Sequence, residues 1–463
     1  MASNSDWPAR PVTSSKGTET PTARHLEKRE LLLDAAARCF NERGVRGAGL
    51  ADIGASVGLG TTSVTYYFRR KEDLTVACML RAIETFSQLA DEAAIASGVE
   101  ARIARFARSF GQLLIDIESG AHPQLMSFNE VRALSGPAAD TVFAAYTQMF
   151  RRMRELLRGQ ATAELSAHEV NARAHLTLSA FNAFRSWASR YEPDDYPSRV
   201  EHLVDVLLHG IGTGCSTGPA SDLDMGLPEQ RAGDTPSDFL RVAAHLINEQ
   251  GVRGVSIEQI AARLNLTKGS FYHHLDTKHD LIVACFEHSF EVLREALRQA
   301  AAGQGCGAER LQAMASALIR HQMSEAGPLL RWSAVSAMTD PTERDAVTRS
   351  IRRLQERVGG LLIEGMQDGS IRVLDQSVTA QYLLQAINAA VELHRWVRHI
   401  DLRTVHAVYV RPVLQGVLSP SAAREFGADS VRVRSPADPN DRLERTDRAR
   451  RPVTAVRIAD ART

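Results

Sequence analysis

A long internal repeat constrains the fold of this chain more than any other feature. Residues 41–74 (NERGVRGAGLADIGASVGLGTTSVTYYFRRKEDL) align without a gap with residues 248–281 (NEQGVRGVSIEQIAARLNLTKGSFYHHLDTKHDL) at an offset of 207. The correspondence continues at Cys78 against Cys285, and returns at an offset of 206 for Asn182 against Asn388 and Gly210 against Gly416. A repeat of this extent indicates a duplicated architecture. We therefore expect two similar units, residues 24–213 and 234–418.

Three segments lie outside the two units. Residues 1–23 are polar and contain three prolines, which predicts a disordered N-terminal arm. Residues 214–233 lie in a stretch rich in glycine and proline, typical of a linker. Residues 419–463 carry ten Arg and seven acidic residues with almost no apolar periodicity, which predicts a disordered, Arg-rich tail.

Composition excludes several classes of protein. Lys plus Arg (55) equals Asp plus Glu (55), so the chain is not a polycation that wraps nucleic acid. It has neither a signal peptide nor an apolar run long enough to span a bilayer, and we expect a cytoplasmic protein. The five cysteines form no zinc-binding pattern, and the common catalytic motifs are missing. We predict no metal, no cofactor and no enzymatic activity.

Apolar spacing predicts the same three short helices at the start of each unit. The buried stripes of the first helix are Leu32, Ala35, Ala36, Cys39 and Phe40 in copy one, and Phe239, Val242, Ala243, Leu246 and Ile247 in copy two. Gly44 and Gly251 follow at positions that suit a left-handed cap. A second helix with Ser256 as an N-cap in copy two, a tight turn at Gly58 and a third helix complete a helix-turn-helix.

The third helix, 61–68 in copy one and 267–275 in copy two, carries the candidate DNA contacts. Its first turn exposes hydroxyl and cationic groups suited to base edges and phosphates, and Gly269 permits close approach of the backbone. Tyrosines, histidines and a lysine at the start of the next helix can donate hydrogen bonds to phosphate. The candidates are Thr61, Thr62, Ser63, Thr65, Tyr66, Tyr67, Lys71, Ser256, Thr267, Lys268, Gly269, Ser270, Tyr272, His273, His274 and Lys278.

The segment LTKGSFYHHLDTKHDL resembles the recognition-helix signature of the TetR (tetracycline-repressor) family of bacterial transcriptional regulators, and LGTTSVTYYFRRKEDL resembles it less closely. The resemblance implies an all-α fold with two tandem TetR-like units. Each would have a helix-turn-helix DNA-binding domain (24–74 and 234–281) and a helical effector-binding and dimerisation domain (75–213 and 282–418). It places Lys268, Tyr272, His274 and Lys278 on DNA-contacting positions.

The same positions in copy one hold Thr61, Thr65, Tyr67 and Lys71, so the two recognition helices are expected to prefer different half-sites. Mere core packing is the alternative explanation of the apolar stripe, and a metal site is the alternative for His273-His274. We favour a DNA-binding helix-turn-helix as the explanation of the stripe, and DNA contact for the two histidines. Cys78 and Cys285 are interpreted as buried small hydrophobes rather than as a redox switch.

The effector site has no motif. The resemblance implies a small-molecule effector, and a mostly apolar pocket would suit a hydrophobic one. Candidate lining residues in or near regions 84–165 and 290–370 are His122, Arg132, His175, Trp187, His321, Trp332 and Trp396.

Members of the family act as homodimers on palindromic DNA, whereas this chain carries both DNA-binding domains itself. Apolar residues near the end of each unit predict an intramolecular four-helix interface, bent or shortened at Pro412. They are Leu203, Val206, Leu207, Ile211, Val405, Val408, Leu414 and Val417. We expect a covalent pseudo-dimer that represses transcription from an imperfect palindromic operator until an effector releases it, with further homodimerisation left open. The alternative is a helical effector-sensing or protein-binding scaffold that has lost DNA binding in one or both copies.

Overall fold

A computed structural model describes residues 23–134, 136–214, 235–252, 254–264, 277–338 and 340–421. The expected all-α fold is confirmed: every regular element in these ranges is helical, and one isolated β-bridge pairs Gly212 with Ile371. None of the described helices is long and apolar enough to cross a membrane. The helices of copy one are α1 (Ala23–Gly47), α2 (Leu50–Ser56), α3 (Thr61–Tyr67), α4 (Lys71–Ala94), α5 (Val99–Glu118), α6 (Gly136–Leu156), α7 (Ala167–Trp187) and α8 (Tyr196–His209).

In copy two, residues 265–276, which include the predicted third helix 267–275, lie outside the described residues. The helices of copy two are α9 (Thr235–Gln250), α10 (Ile257–Arg263), α11 (Lys278–Ala302), α12 (Gly307–Met323), α13 (Pro341–Gln367), α14 (Gln376–Ala389), α15 (Leu393–Trp396) and α16 (Arg411–Gln415). Each copy also has a six-residue 3₁₀ helix, Phe128–Ala133 after α5 in copy one and Trp332–Ala337 after α12 in copy two.

The local signals that predicted the DNA-binding domains are confirmed. Gly44 and Gly251 both have positive φ, 67° and 74°, and Gly58 has φ 69° in the tight turn before α3. A residue with a Cβ atom disfavours that region, so glycine fixes where these helices break. Ser256 is the N-cap of α10, since its Oγ accepts from the Gln259 amide at 3.2 Å.

The two copies share tertiary hydrogen bonds as well as helices. The Cys78 thiol donates to the Leu33 carbonyl at 3.6 Å, and the corresponding Cys285 thiol donates to the Leu240 carbonyl at the same distance. Both cysteines are buried, as predicted. Burial raises the pKa of Cys78 to about 12 and raises that of Cys285 further still, so both remain inert thiols that anchor α4 and α11.

The copies pack against each other through the apolar ends that the sequence singled out. α7 and α8 contact α14, and Leu203, Val206, Leu207 and Ile211 are buried at this end. Several backbone hydrogen bonds cross between the copies. Two of them are reciprocal: the Ile211 amide donates to the Leu414 carbonyl at 2.7 Å, and the Val417 amide donates to the Leu207 carbonyl at 2.8 Å. Because Ile211 and Val417 are counterparts at the offset of 206, these two bonds relate the ends of the two copies by an approximate two-fold axis.

The last helix of copy two is interrupted, as Pro412 predicted. A π-helical turn, His406–Val410, precedes α16, and Pro412 lies at the start of that helix. Proline has no amide hydrogen, so a regular α-helix through it would leave a carbonyl without its donor. Val405, Leu414 and Val417 are nevertheless buried, whereas Val408 is only partly buried.

The predicted start of the tail at residue 419 is wrong. The Arg173 guanidinium, buried in α7, donates to the carbonyl oxygens of Val417 at 3.0 Å and Ser419 at 2.9 Å. The Ser421 hydroxyl donates to the Glu169 carboxylate at 3.0 Å. Copy two therefore extends at least to Ser421, because a buried cation of copy one needs these acceptors. The rest of the tail, the arm 1–22 and the linker 215–234 lie outside the described residues.

Candidate DNA-binding surfaces and effector cavity

The recognition helix of copy one, α3, turns one narrow face inward. Val64 and Phe68 are buried, at 0% and 5% exposure, against the rest of the domain. Thr61, Thr62 and Ser63 are exposed in the first turn. Three hydroxyl groups and the free amides of a helix N-terminus are therefore presented to solvent together, as a groove-binding helix requires.

The two tyrosines of α3 have different environments. Tyr66 is 74% exposed. Tyr67 is partly buried, with its ring centroid 4.7 Å from that of His25 on α1. The Thr65 hydroxyl donates to the Thr62 carbonyl at 3.0 Å within the helix. Tyr66 is consequently the more accessible phenol for a phosphate oxygen, and Tyr67 is held in place by α1.

Lys71 and Lys278 make the same bond in the two copies. The Lys71 ammonium donates to the Ala48 carbonyl at 3.1 Å, and the Lys278 ammonium donates to the carbonyl of Val255, which is the counterpart of Ala48. Both lysines also fix the position of the loop before the second helix of the domain.

Seven of the nine copy-two candidates lie outside the described residues: Thr267, Lys268, Gly269, Ser270, Tyr272, His273 and His274. Ser256 and Lys278 flank that segment, at the start of α10 and the start of α11.

A cavity of about 590 Å³ lies between the two copies and is lined by both. Four of the predicted effector residues line it: His175 and Trp187 from copy one, and Trp332 and Trp396 from copy two. His122 and His321 are not among its lining residues, and the side chain of Arg132 lies outside the described residues. The sequence suggested a separate pocket in each copy, whereas this cavity is shared.

The interior of the copy-one helical bundle is filled by aromatic rings. The rings of Phe86, Phe106, Phe110 and Phe181 pack at centroid distances between 5.0 and 6.4 Å, and each side chain is fully buried. The cavity lies beside this cluster, and Leu114, Phe128 and Tyr146 of region 84–165 form part of its wall.

Burial lowers the pKa values of basic groups in the cavity wall. Desolvation lowers the pKa of His175 to about 4, so the imidazole is neutral near pH 7. Its Nε2–H donates to the Ala389 carbonyl of copy two at 3.0 Å. Burial also lowers the pKa of Arg185, which lines the cavity, to about 10. His321 does not line the cavity; burial, with a smaller effect from His288, lowers its pKa to about 4.

Two asparagines that the sequence analysis missed join the DNA-binding domains to the cavity wall. The Asn41 amide donates to the Leu125 carbonyl at 2.9 Å and accepts from the Ser127 amide at 2.8 Å. Its counterpart Asn248 donates to the Leu329 carbonyl at 2.8 Å and accepts from the Arg331 amide at 3.0 Å. Each asparagine is the first residue of the aligned repeat, the N of NERG or NEQG. Its recurrence at corresponding positions was the sequence signal that pointed to a shared role.

The segments held in this way continue directly into the 3₁₀ helices, which form part of the cavity wall through Phe128, Asn129, Trp332 and Ser333. Their contacts also cross between copies. α1 packs against Trp332–Ala337, and α9 packs against Phe128–Ala133. Each 3₁₀ helix therefore contacts the DNA-binding domain of the other copy.

Comparisons with known proteins agree with this arrangement. The model described as "Bacterial regulatory proteins, tetR family" matches residues 32–78 and again residues 239–285. The model described as "Tetracyclin repressor-like, C-terminal domain" matches residues 304–416. The chain belongs to the TetR family. Its DNA-binding region is present twice, so the TetR architecture is duplicated in tandem.

TetR-family relatives match one stretch of the chain at a time. The HTH-type transcriptional repressor KstR2 of Rhodococcus jostii (strain RHA1) is 25% identical over 192 residues, which are 40% of this chain and 91% of that protein. The HTH-type transcriptional regulator CymR of Pseudomonas putida is 24% identical over 124 residues, 27% of this chain and 61% of that protein. The crystal structure of AibR in complex with isovaleryl coenzyme A and operator DNA is 21% identical, covers 38% of this chain and 97% of that one, and has a TM-score of 0.31.

A further cation flanks the recognition helix in copy one of this TetR-family chain. Arg69 is exposed directly after α3, and it has no hydrogen-bond or ion-pair partner among the described residues. Its neighbour Arg70 pairs with Asp73 at 2.9 Å. Copy two has Asp276-Thr277 at these positions. Copy one therefore lacks the cation that copy two has at Lys268, the counterpart of Thr61, but it has Arg69 after the other end of the helix. The adjacent arginines Arg69-Arg70 were the sequence signal for this cation.

Proposed function

We propose that this TetR-family regulator is a transcriptional repressor that places its two DNA-binding domains on one operator. The observation that carries the proposal is the packing of the copies on each other through the reciprocal Ile211–Leu414 and Val417–Leu207 backbone bonds. That packing matches what two separate chains provide in a two-fold dimer. On this view one chain is a covalent pseudo-dimer.

The operator is proposed to be an imperfect palindrome. Two recognition helices that differ in sequence have different preferences in the major groove, because specificity depends on the donors and acceptors that each side chain offers. Copy one offers threonines and serine in its first turn and Arg69 at the far end. Copy two has Lys268 near the start of its predicted recognition helix.

Release by a small molecule is supported by the position of the cavity. A ligand between the copies would contact the 3₁₀ helices, and each of these packs against the DNA-binding domain of the other copy. The Asn41 and Asn248 bonds join each DNA-binding domain to the chain entering its own 3₁₀ helix. A shift of a 3₁₀ helix would therefore change the relative placement of both recognition helices. We propose repression rather than activation because the relative KstR2 is named a transcriptional repressor.

Binding of random-sequence duplex DNA across a salt series tests the proposal. A DNA-binding regulator gives an affinity that falls steeply as salt rises, since bound cations displace counterions from phosphate. Lys268→Ala and Tyr67→Ala should each weaken binding, whereas Arg108→Ala, an exposed cation of α5, should not. A chain that shows no salt-dependent binding would be the effector-sensing or protein-binding scaffold instead.

A further inference from the structure

We propose that the cavity between the copies is a single ligand site, completed only by both copies, that takes an uncharged and largely apolar molecule bearing carbonyl, amide or hydroxyl groups. The regulatory meaning of such a site rests on the proposed function, but its existence does not. The inference starts from four polar side chains that line the cavity and belong to corresponding positions of the repeat.

Asn182 on α7 corresponds to Asn388 on α14, and Ser179 corresponds to Gln385, all at an offset of 206. All four line the cavity. Within each helix the two residues are three apart, which places them on one face. Because α7 and α14 pack against each other, the two faces contribute matching polar pairs to one space.

These side chains make no hydrogen bond with any described residue, although other polar groups nearby do. Asn388 is only 7% exposed. The side-chain amide atoms of Asn388 are not fully buried, so they are open to the cavity. A buried amide left unpaired costs free energy, so a donor and an acceptor at this position favour a hydrogen-bonding occupant.

The charged groups of the wall are already paired or lie at the rim. The Arg190 guanidinium donates to Gln355 at 2.6 Å and to Gln381 at 3.0 Å, both in copy two. Arg331 pairs with Glu392 at 2.9 Å. The Arg185 guanidinium, also in the wall, donates to the Met126 carbonyl at 3.2 Å and to the Leu125 carbonyl. The remaining acid and base of the wall, Glu118 and Arg395, are exposed. The groups inside the cavity that have no hydrogen-bond partner among the described residues are therefore neutral amides and hydroxyls, which suit carbonyl, amide or hydroxyl groups of a ligand.

The rest of the wall suits a flat apolar body. Three tryptophans line the cavity: Trp187 of copy one, and Trp332 and Trp396 of copy two. Trp396 is braced from behind, since its ring stacks on Phe150 with centroids 3.9 Å apart and its carbonyl accepts from Asn171 at 3.1 Å. A volume of about 590 Å³ is in the range for one small-molecule ligand.

Acridone is a suitable probe for the full-length chain. It is uncharged, flat and fluorescent, with a carbonyl acceptor and an N–H donor on opposite edges. Fluorescence titration should give one acridone per chain. Asn182→Leu and Asn388→Leu, which keep side-chain size, should each weaken that one binding event about tenfold, the change expected for one lost hydrogen bond.

Matched controls separate this site from general stickiness. Gln112→Leu, on an exposed turn of α5, should leave acridone binding unchanged, and circular dichroism should show all three variants folded. Anthracene has the same shape without the polar groups and should bind more weakly. Two acridone molecules per chain, no acridone binding, anthracene binding as tight as acridone, or insensitivity to both asparagine substitutions would overturn the proposal. Acridone binding as described without any change in DNA affinity would support the shared site and contradict effector release.

Discussion

Gly416 lies so close to Leu208 that a Cβ atom at residue 416 would come within 2.1 Å of the Leu208 carbonyl oxygen. The counterpart Gly210 approaches the Leu414 carbonyl oxygen equally closely, at 2.3 Å from a Cβ position. Both glycines have positive φ, 83° and 73°. The two copies thus cross at a pair of glycines, one from each, where a side chain has no room.

The crossing predicts a large asymmetry between two glycine substitutions. Gly416→Ala should lower the free energy of unfolding by at least about 1–3 kcal/mol, because the alanine would be strained at positive φ and would also clash with backbone. Gly360→Ala, inside α13 with nothing within 4 Å, should raise it by about 0.5–1 kcal/mol. Urea unfolding followed by circular dichroism measures both. Equal effects of the two changes would mean that the copies do not approach as described.

The asparagine bonds predict a local weakness when one is removed. Asn248→Ala leaves the Leu329 carbonyl and the Arg331 amide without their partner and should cost about 1–3 kcal/mol. Hydrogen exchange at residues 329–331 should accelerate at the same time. Asn129→Ala is the matched control, because the Asn129 side chain has no hydrogen bond with the described residues. Unchanged exchange in Asn248→Ala would exclude this link between domain and cavity wall.

Stability should fall as the pH falls from about 6.5 toward 4. His175 has a folded pKa of about 4, below its ordinary value of 6.5, so the unfolded chain takes up a proton that the folded chain resists. The loss from this residue should reach about 2 kcal/mol at pH 5 relative to pH 8. His175→Gln keeps a donor for the Ala389 carbonyl without titrating, and should show a flatter pH dependence. If wild type and His175→Gln had the same pH profile, the buried neutral imidazole would be the wrong description.

Arg69 should add to DNA affinity without adding to sequence preference. Arg69→Ala should weaken binding to all duplexes alike and reduce the slope of log affinity against log salt by about 1. Arg70→Ala should have a smaller effect, since its guanidinium is paired with Asp73. Salt titrations of the two variants decide the matter. An effect confined to particular DNA sequences would indicate a base contact instead.

Periodicity and the repeat were enough to predict α1 to α3 of copy one and α9 and α10 of copy two, because signals such as Gly44, Gly251 and Ser256 are local in sequence. The offset also relates the Lys71–Ala48 bond to the Lys278–Val255 bond. Contacts between the copies depend on their mutual placement, which no local pattern encodes. For that reason the shared cavity and the Arg173 contacts that extend copy two past residue 418 were found only in the structure. The Asn41 and Asn248 bonds lie within one copy each, but they join residues more than 80 positions apart, which local spacing does not relate.

Selection of bound duplexes from a random DNA pool tests the central claim most directly. One chain with two different recognition helices should enrich a site with two related but unequal half-sites, centred about one helical turn apart. Lys268→Ala should relax the preference in only one of the halves. Two identical half-sites, a lone half-site, or no enrichment at all would contradict a pseudo-dimer that uses both DNA-binding domains on one operator.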